Sequence, residues 1–163
     1  MGRQTKPKNT DLAYIAGFLD GDGSIMIQLK KRKDTPKGKR LMFTICLYQD
    51  TRHEKPLFWM RDILKIGYIS HRNDGMTELR INGYKQVRNI LSLLHPYLKF
   101  KKNQVTHIFR ALQIVERKNV RQLTTREKKQ IVNALVAARK ETYQSGQKKT
   151  EKLKADLEDI MKL

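Results

Sequence analysis

Two stretches of this sequence alternate with a period of two, and they lie a short turn apart. Residues 24–33, SIMIQLKKRK, put Ile25, Ile27 and Leu29 on one side and Met26, Gln28 and Lys30 on the other. Residues 41–49, LMFTICLYQ, repeat the pattern with Leu41, Phe43, Ile45 and Leu47. This alternation suits a strand with one face against a core; an amphipathic helix would place its apolar residues every three or four positions. DTPKGK, between the two stretches, reads as a turn or flexible tip, so the strands form a hairpin. A second hairpin is expected in residues 68–82, YISHRNDGMTELRIN, around the strong turn signal NDG. Ile69, Leu79 and Ile81 make its apolar face.

Helical patterns frame the hairpins. Asn9, Thr10 and Asp11 offer N-caps to the apolar run from Leu12 to Leu19. Residues 53–67, HEKPLFWMRDILKIG, carry Pro56 in a first turn and Gly67 as a stop. Residues 83–98, GYKQVRNILSLLHPYL, read as helix up to Pro96. The order is α-β-β-α-β-β-α, an α+β core whose antiparallel, saddle-like sheet is covered by helices on one face. Further helices are predicted over 102–116, 125–142 and 151–162, with YQSGQKKT linking the last two. No repeat or second core is visible. The expectation is one domain over 1–163: a basic arm at 1–9, the core at 10–100 and a helical part at 101–163.

The charge narrows the partner. Lys and Arg number 35 against 16 Asp and Glu, a formal +19. An excess of this size points to a polyanion, most often nucleic acid. One cysteine, Cys46, excludes an internal disulfide. No apolar run approaches the roughly 20 residues that span a membrane, so no membrane partner is expected. The sheet face turned from the core would carry Gln28, Lys30 and Arg32, then Arg40, Thr44 and Tyr48, then Ser70 and Arg72, then Glu78, Arg80 and Asn82. Arg and Lys bond guanine edges, Gln and Asn adenine edges, and Glu a cytosine amino group. A curved ribbon of strands with that set fits a major groove of double-stranded DNA. Lys148 and Lys149, in the basic linker, are expected to contact phosphates.

The remaining feature is YIAGFLDGDGS, residues 14–24. Ala13, Gly17 and Gly21 are spaced by four, with Ala16 and Asp20 beside them, and form a strip of small residues. Such a strip lets two helix backbones approach closely. It can pack against another part of the chain or against a second copy of itself; no other segment offers a matching strip, which favours a homodimer about a two-fold axis. Asp20 and Asp22 fall at the helix C-terminus, where a carboxylate costs about 0.3–1 kcal/mol through the helix dipole. Near DNA phosphates the cost rises. A divalent cation between carboxylate and phosphate removes it, and Mg²⁺ characteristically takes one or two carboxylates plus phosphate oxygens and water. An ordinary Asx-rich turn would explain DGDG taken by itself.

IAGFLDGDG, Ile15 to Gly23, resembles the LAGLIDADG motif of the homing endonucleases, with its glycine and both aspartates in register. The likeness extends from about residue 11 to residue 110, and a single motif resembles the homodimeric branch. It implies Mg²⁺-dependent (or Mn²⁺-dependent) cleavage of both strands at a long, near-palindromic site. It also implies that Asp22 holds the metal, that the Gly21 carbonyl assists, and that Asp20 supports the helix junction. By the same likeness Gln49, in YQDTRH, stands near the attacking water. His53 takes a position usually held by Arg or Lys, with Arg52 beside it. Lys101, in HPYLKFKKNQ, matches an active-site lysine, with Lys99 next to it. Other functions open to the family are an intron RNA maturase and a DNA-binding regulator that does not cleave. The expected setting is intracellular, in an archaeal cytoplasm or in an organelle that encodes the protein.

Overall fold

The computed structural model describes residues 6–31, 39–118, 122–142 and 146–163, and all their side chains except those of 29–31 and 39–40. The chain runs α1 (Asn9–Asp22), β1 (Gly23–Lys31), β2 (Lys39–Asp50), a 3₁₀ turn (Thr51–His53), α2 (Lys55–Leu64), β3 (Tyr68–His71), β4 (Met76–Asn82) and α3 (Tyr84–Leu94). A second 3₁₀ turn (His95–Tyr97), α4 (Lys102–Arg117), α5 (Thr125–Lys140) and α6 (Gln147–Met161) complete it. The expected α-β-β-α-β-β-α order is present. Arg32, the side chains of Lys30 and Arg40, and most of the turn expected at DTPKGK lie outside the described residues.

The chain divides into two compact units, residues 1–26 with 43–99 and residues 27–42 with 100–163. In the first, α1 buries Leu12, Ile15, Ala16 and Leu19, which recur at the three-and-four spacing of one helix face. α3 does the same with Val87, Ile90, Leu91 and Leu94, and α2 with Leu57, Met60 and Leu64. They cover the buried side of the sheet, where Phe43, Ile45, Leu47, Leu79 and Ile81 are shielded from solvent. In the second unit α5 packs between α4 and α6. Its N-terminus is a capping box: Thr124 Oγ1 accepts from Glu127 N at 3.2 Å, and Glu127 Oε2 accepts from Thr124 N at 2.8 Å. Two orphan amides of the first turn are thereby satisfied.

The sheet has the strand order β1-β2-β4-β3. β4 pairs antiparallel with both neighbours, Cys46 opposite Arg80 and Arg80 opposite Tyr68. β2 is therefore central, and this overturns one expectation. Thr44 and Cys46 lie on the face meant to be open, yet they are only 1% and 0% exposed. Thr44 is bonded to Asn82 of β4, and Cys46 to Tyr48 of β2 and Arg80 of β4.

Three helix ends differ from the expectations. α1 already includes Asn9, Thr10 and Asp11; Lys8 occupies the cap and offers no side-chain bond. α2 stops at Lys65, which adopts the left-handed conformation at φ 55°. Gly67 has φ +102°, and a Cβ there would lie 2.7 Å from Leu79 Cδ1, so this glycine serves the start of β3 rather than the helix end. α6 begins at Gln147, so Lys148 and Lys149 are exposed residues of its first turn, not of a linker. Thr150, in the same turn, returns its hydroxyl to the Gly146 carbonyl.

Candidate functional site

α1 carries the motif, and its two aspartates have separate surroundings. Asp20 is 7% exposed, and its Oδ2 accepts from the Lys99 amide at 2.6 Å. That bond ties the end of α1 to the segment that follows the second 3₁₀ turn. Asp22, the last residue of α1, is exposed. Gly21 precedes it in the last turn, where helix carbonyls lack an i+4 amide partner. One unengaged carboxylate and one end-of-helix carbonyl are hard oxygen donors of the kind Mg²⁺ accepts. The described residues hold no group of three or more His, Cys, Asp or Glu that would cage an ion by themselves. The donors thus fit a cation that completes its shell from phosphate, water or another chain.

Along the outward side of α1, Ala13, Gly17 and Gly21 are exposed. A Cβ added at Gly17 or Gly21 would meet nothing of its own chain within 4 Å. Ala16 departs from the expected strip. It is 0% exposed, because it sits one position round the helix with Leu12 and Ile15, against the core of its own chain. Tyr14 also faces outward, 56% exposed, and sets its ring edge-on to Trp59 of α2 at 5.5 Å.

Gln49, the last residue but one of β2, lies opposite Thr77, and its Oε1 accepts from the Asp50 amide at 2.8 Å. The next residues form a charged turn. Asp50 accepts from Arg52 through the backbone amide at 2.8 Å and through Nε and Nη2 at 3.0 and 2.8 Å. The Arg52 guanidinium holds the Asp50 carboxyl well below the usual carboxylate range. Arg52 is thus partnered, while His53 is exposed beside it. Glu54 closes the turn: its Oε2 accepts from Thr77 Oγ1 at 2.7 Å and lies 2.8 Å from His71 Nε2. Thr77 first, and His71 with it, lowers the Glu54 pKa. The grouping of Glu54, Thr77 and His71 had no signal in the sequence, because the β2–β4 and β3–β4 registers bring the three together. Lys101 stands at the start of α4 in the second unit, half-buried.

The outward sheet face is a connected polar layer. Ser24 Oγ and Tyr48 OH are 2.8 Å apart, and Tyr48 OH also reaches Met26 Sδ at 4.0 Å. Thr44 Oγ1 donates to Asn82 Oδ1 at 2.6 Å, and Asn82 Nδ2 donates to Tyr68 OH at 3.2 Å. Glu78 is 5% exposed and lies between Arg72 and Arg80. Arg80 keeps its charge more firmly than usual: burial opposes this, but Cys46, Tyr68 and Glu78 outweigh it. Burial pushes the Cys46 thiol and the Tyr48 phenol up. Gln28, Tyr48, Ser70, Arg80 and Asn82 are half-buried and Arg72 is exposed, as a reading face requires, whereas Thr44 and Glu78 are not accessible.

A sequence model described as LAGLIDADG endonuclease matches residues 15–112. The chain belongs to the LAGLIDADG endonuclease family. Its LAGLIDADG relatives include DNA endonuclease I-CvuI of Chlorella vulgaris, 32% identical over 105 residues, or 64% of this chain and 63% of that protein. DNA endonuclease I-CreI of Chlamydomonas reinhardtii is 30% identical over 109 residues, 67% of this chain and 66% of that protein. The match spans about two thirds of each relative's length. The solved structure of I-CvuI in complex with the I-CreI target shares the fold with a TM-score of 0.71 at 24% identity, covering 96% of this chain and 99% of that one. The I-TnaI structure gives 0.68 at 19%, covering 94% and 99%. No helix among the described residues of this LAGLIDADG chain is long and apolar enough to cross a membrane.

Proposed function

We propose that this chain is one subunit of a homodimeric, site-specific DNA endonuclease that makes divalent-cation-dependent double-strand breaks. The observation that carries the reading is the motif's division of labour. Asp20 is consumed inside the chain, and Asp22 is left exposed at the helix end. Both relatives are DNA endonucleases, which supports it.

Asp22 and the Gly21 carbonyl would hold the cation, which supplies a polarised phosphate and a water acidic enough to attack. The chain's own groups arrange the rest. Gln49 orients the attacking water with its amide. His53 and Lys101 stabilise charge on the phosphate, and the Asp50–Arg52 pair fixes the turn that carries His53. A single subunit offers one exposed motif carboxylate, so cleavage of both strands calls for a second copy. The strip Ala13, Gly17 and Gly21 provides the seam, since its glycines are not needed to pack the chain itself. Gln28, Lys30, Arg32, Arg40, Tyr48, Ser70, Arg72, Arg80 and Asn82 would meet base edges, and Lys148 and Lys149 phosphates. The two relatives come from algae, which supports an organelle rather than an archaeal cell as the setting.

The test is incubation of the purified protein with a plasmid carrying the insertion site of its own intron, with and without Mg²⁺. Linear product only with Mg²⁺ is expected. Tight binding without cleavage under every divalent cation would make it a regulator. Splicing of a precursor RNA without either would make it a maturase.

A further inference from the structure

Glu78 is a carboxylate within the polar layer of the sheet, and it is too deeply buried to reach a base as it stands. Its two oxygens go to different guanidinium groups. Oε1 lies 3.1 Å from Arg72 Nη1, and Oε2 lies 2.7 Å from Arg80 Nε. The Arg80 contact is ionic and not a well-aligned hydrogen bond, because that N–H does not point at the oxygen. Arg72 is steadied from its other side by Asp74 Oδ2, 2.6 Å from Nη2. A guanidinium has five N–H donors, so two ion pairs leave Arg72 three. The arrangement fixes where those remaining donors point.

We propose that Glu78 is a positioning residue that aims Arg72 and Arg80 together, and so sets base preference at two positions of each half-site without touching DNA. This rests on the reading of the sheet as the DNA-contacting face. The physical case is geometric. β4 places Glu78 and Arg80 two residues apart on one face, and Glu78 pairs with Ser70 of β3, just past whose end stands Arg72. A carboxylate between two long cations removes rotamer freedom that either would otherwise lose on binding. It also couples them, because a change in one pair frees charge for the other.

The experiment is a randomised-site selection with the full-length protein and Glu78→Gln, paired with a salt titration of binding. Glutamine keeps the shape, removes the charge and turns an N–H₂ toward an arginine. Preference should fall at two base positions in each half-site, by roughly 5- to 150-fold at each. The salt slope should stay that of the wild type, since no phosphate contact is lost. Loss of a cytosine at one position only would mean that Glu78 reads a base directly, and an unchanged selection would mean that it positions nothing. Should Glu78→Gln unfold, Arg72→Ala decides by the same selection. Coupling through Glu78 predicts that both positions weaken, and a change confined to one overturns the proposal. A wild-type protein that selects no sequence at all overturns the DNA-reading face itself, and this proposal with it.

Discussion

Asp20 and Asp22 stand two residues apart in α1, one buried and one exposed. Replacing Asp20 by Ala leaves the Lys99 amide without its carboxylate, and a buried donor left unpaired costs about 1–3 kcal/mol. Asp22→Asn removes an exposed charge that no part of its own chain needs. Thermal unfolding should therefore fall for Asp20→Ala and hold for Asp22→Asn. In nicking assays the order reverses: Asp22→Asn should show no cleavage with Mg²⁺ yet keep DNA binding within a few-fold. Cleavage by Asp22→Asn at the wild-type rate would remove it from the metal site. The motif register was enough to separate these two aspartates. The same kind of reading failed at Thr44 and Glu78, because two-residue alternation says which face a side chain is on and not how deeply its neighbours cover it. Glu78 is covered because two arginines, not adjacent to it in sequence, lean over it.

At the scale of elements, the glycines of α1 and β1 give opposite predictions. A Cβ at Gly17 would meet nothing of its own chain within 4 Å, whereas a Cβ at Gly23 would lie 2.7 Å from Leu19 Cα. Gly17→Leu should keep the wild-type melting temperature at low concentration but sediment as a monomer, since overpacking a seam costs about 1–3 kcal/mol and strikes it from both sides. Gly23→Ala should lower the melting temperature instead. An active, stable dimer of Gly17→Leu would place the seam elsewhere. The capping box of α5 has a pH signature. Lys118, 2.7 Å away, and the Thr124 amide lower the Glu127 pKa from 4.5 to about 2. A lowered folded value means the stabilisation is complete above 4.5 and is lost as pH falls toward 2. The gap in melting temperature between wild type and Glu127→Gln should accordingly close over that range, and a gap independent of pH would contradict the assignment. Element order and strand identity were legible because alternation and turn signals are local. Helix ends were less so. Lys65 ends α2 in a conformation usually given to glycine, and α6 begins four residues before the expected start at 151.

For the whole molecule, the proposed function divides the formal +19 into charges that read and charges that hold. Arg80→Ala should shift base preference, by about 1–3 kcal/mol for a bidentate contact to guanine. Lys148→Ala should weaken every sequence alike and reduce the log–log salt slope by about 0.9 per lost contact, about twice that in a dimer. If Lys148→Ala changed preference and Arg80→Ala did not, the sheet would not be the reading face. The net charge points toward a nucleic-acid partner but carries no such partition, which depends on where folding leaves each side chain. The edge-on contact of Tyr14 and Trp59 has a practical consequence. Trp59 is the only tryptophan in the sequence, and it belongs to the unit that carries the motif. The three longest helices, α4, α5 and α6, belong to the other unit. Indole fluorescence therefore follows one unit, while far-ultraviolet circular dichroism is weighted toward the other. Overlaid in a single denaturant titration, two unlabelled optical signals reveal whether the protein melts as one body or in stages.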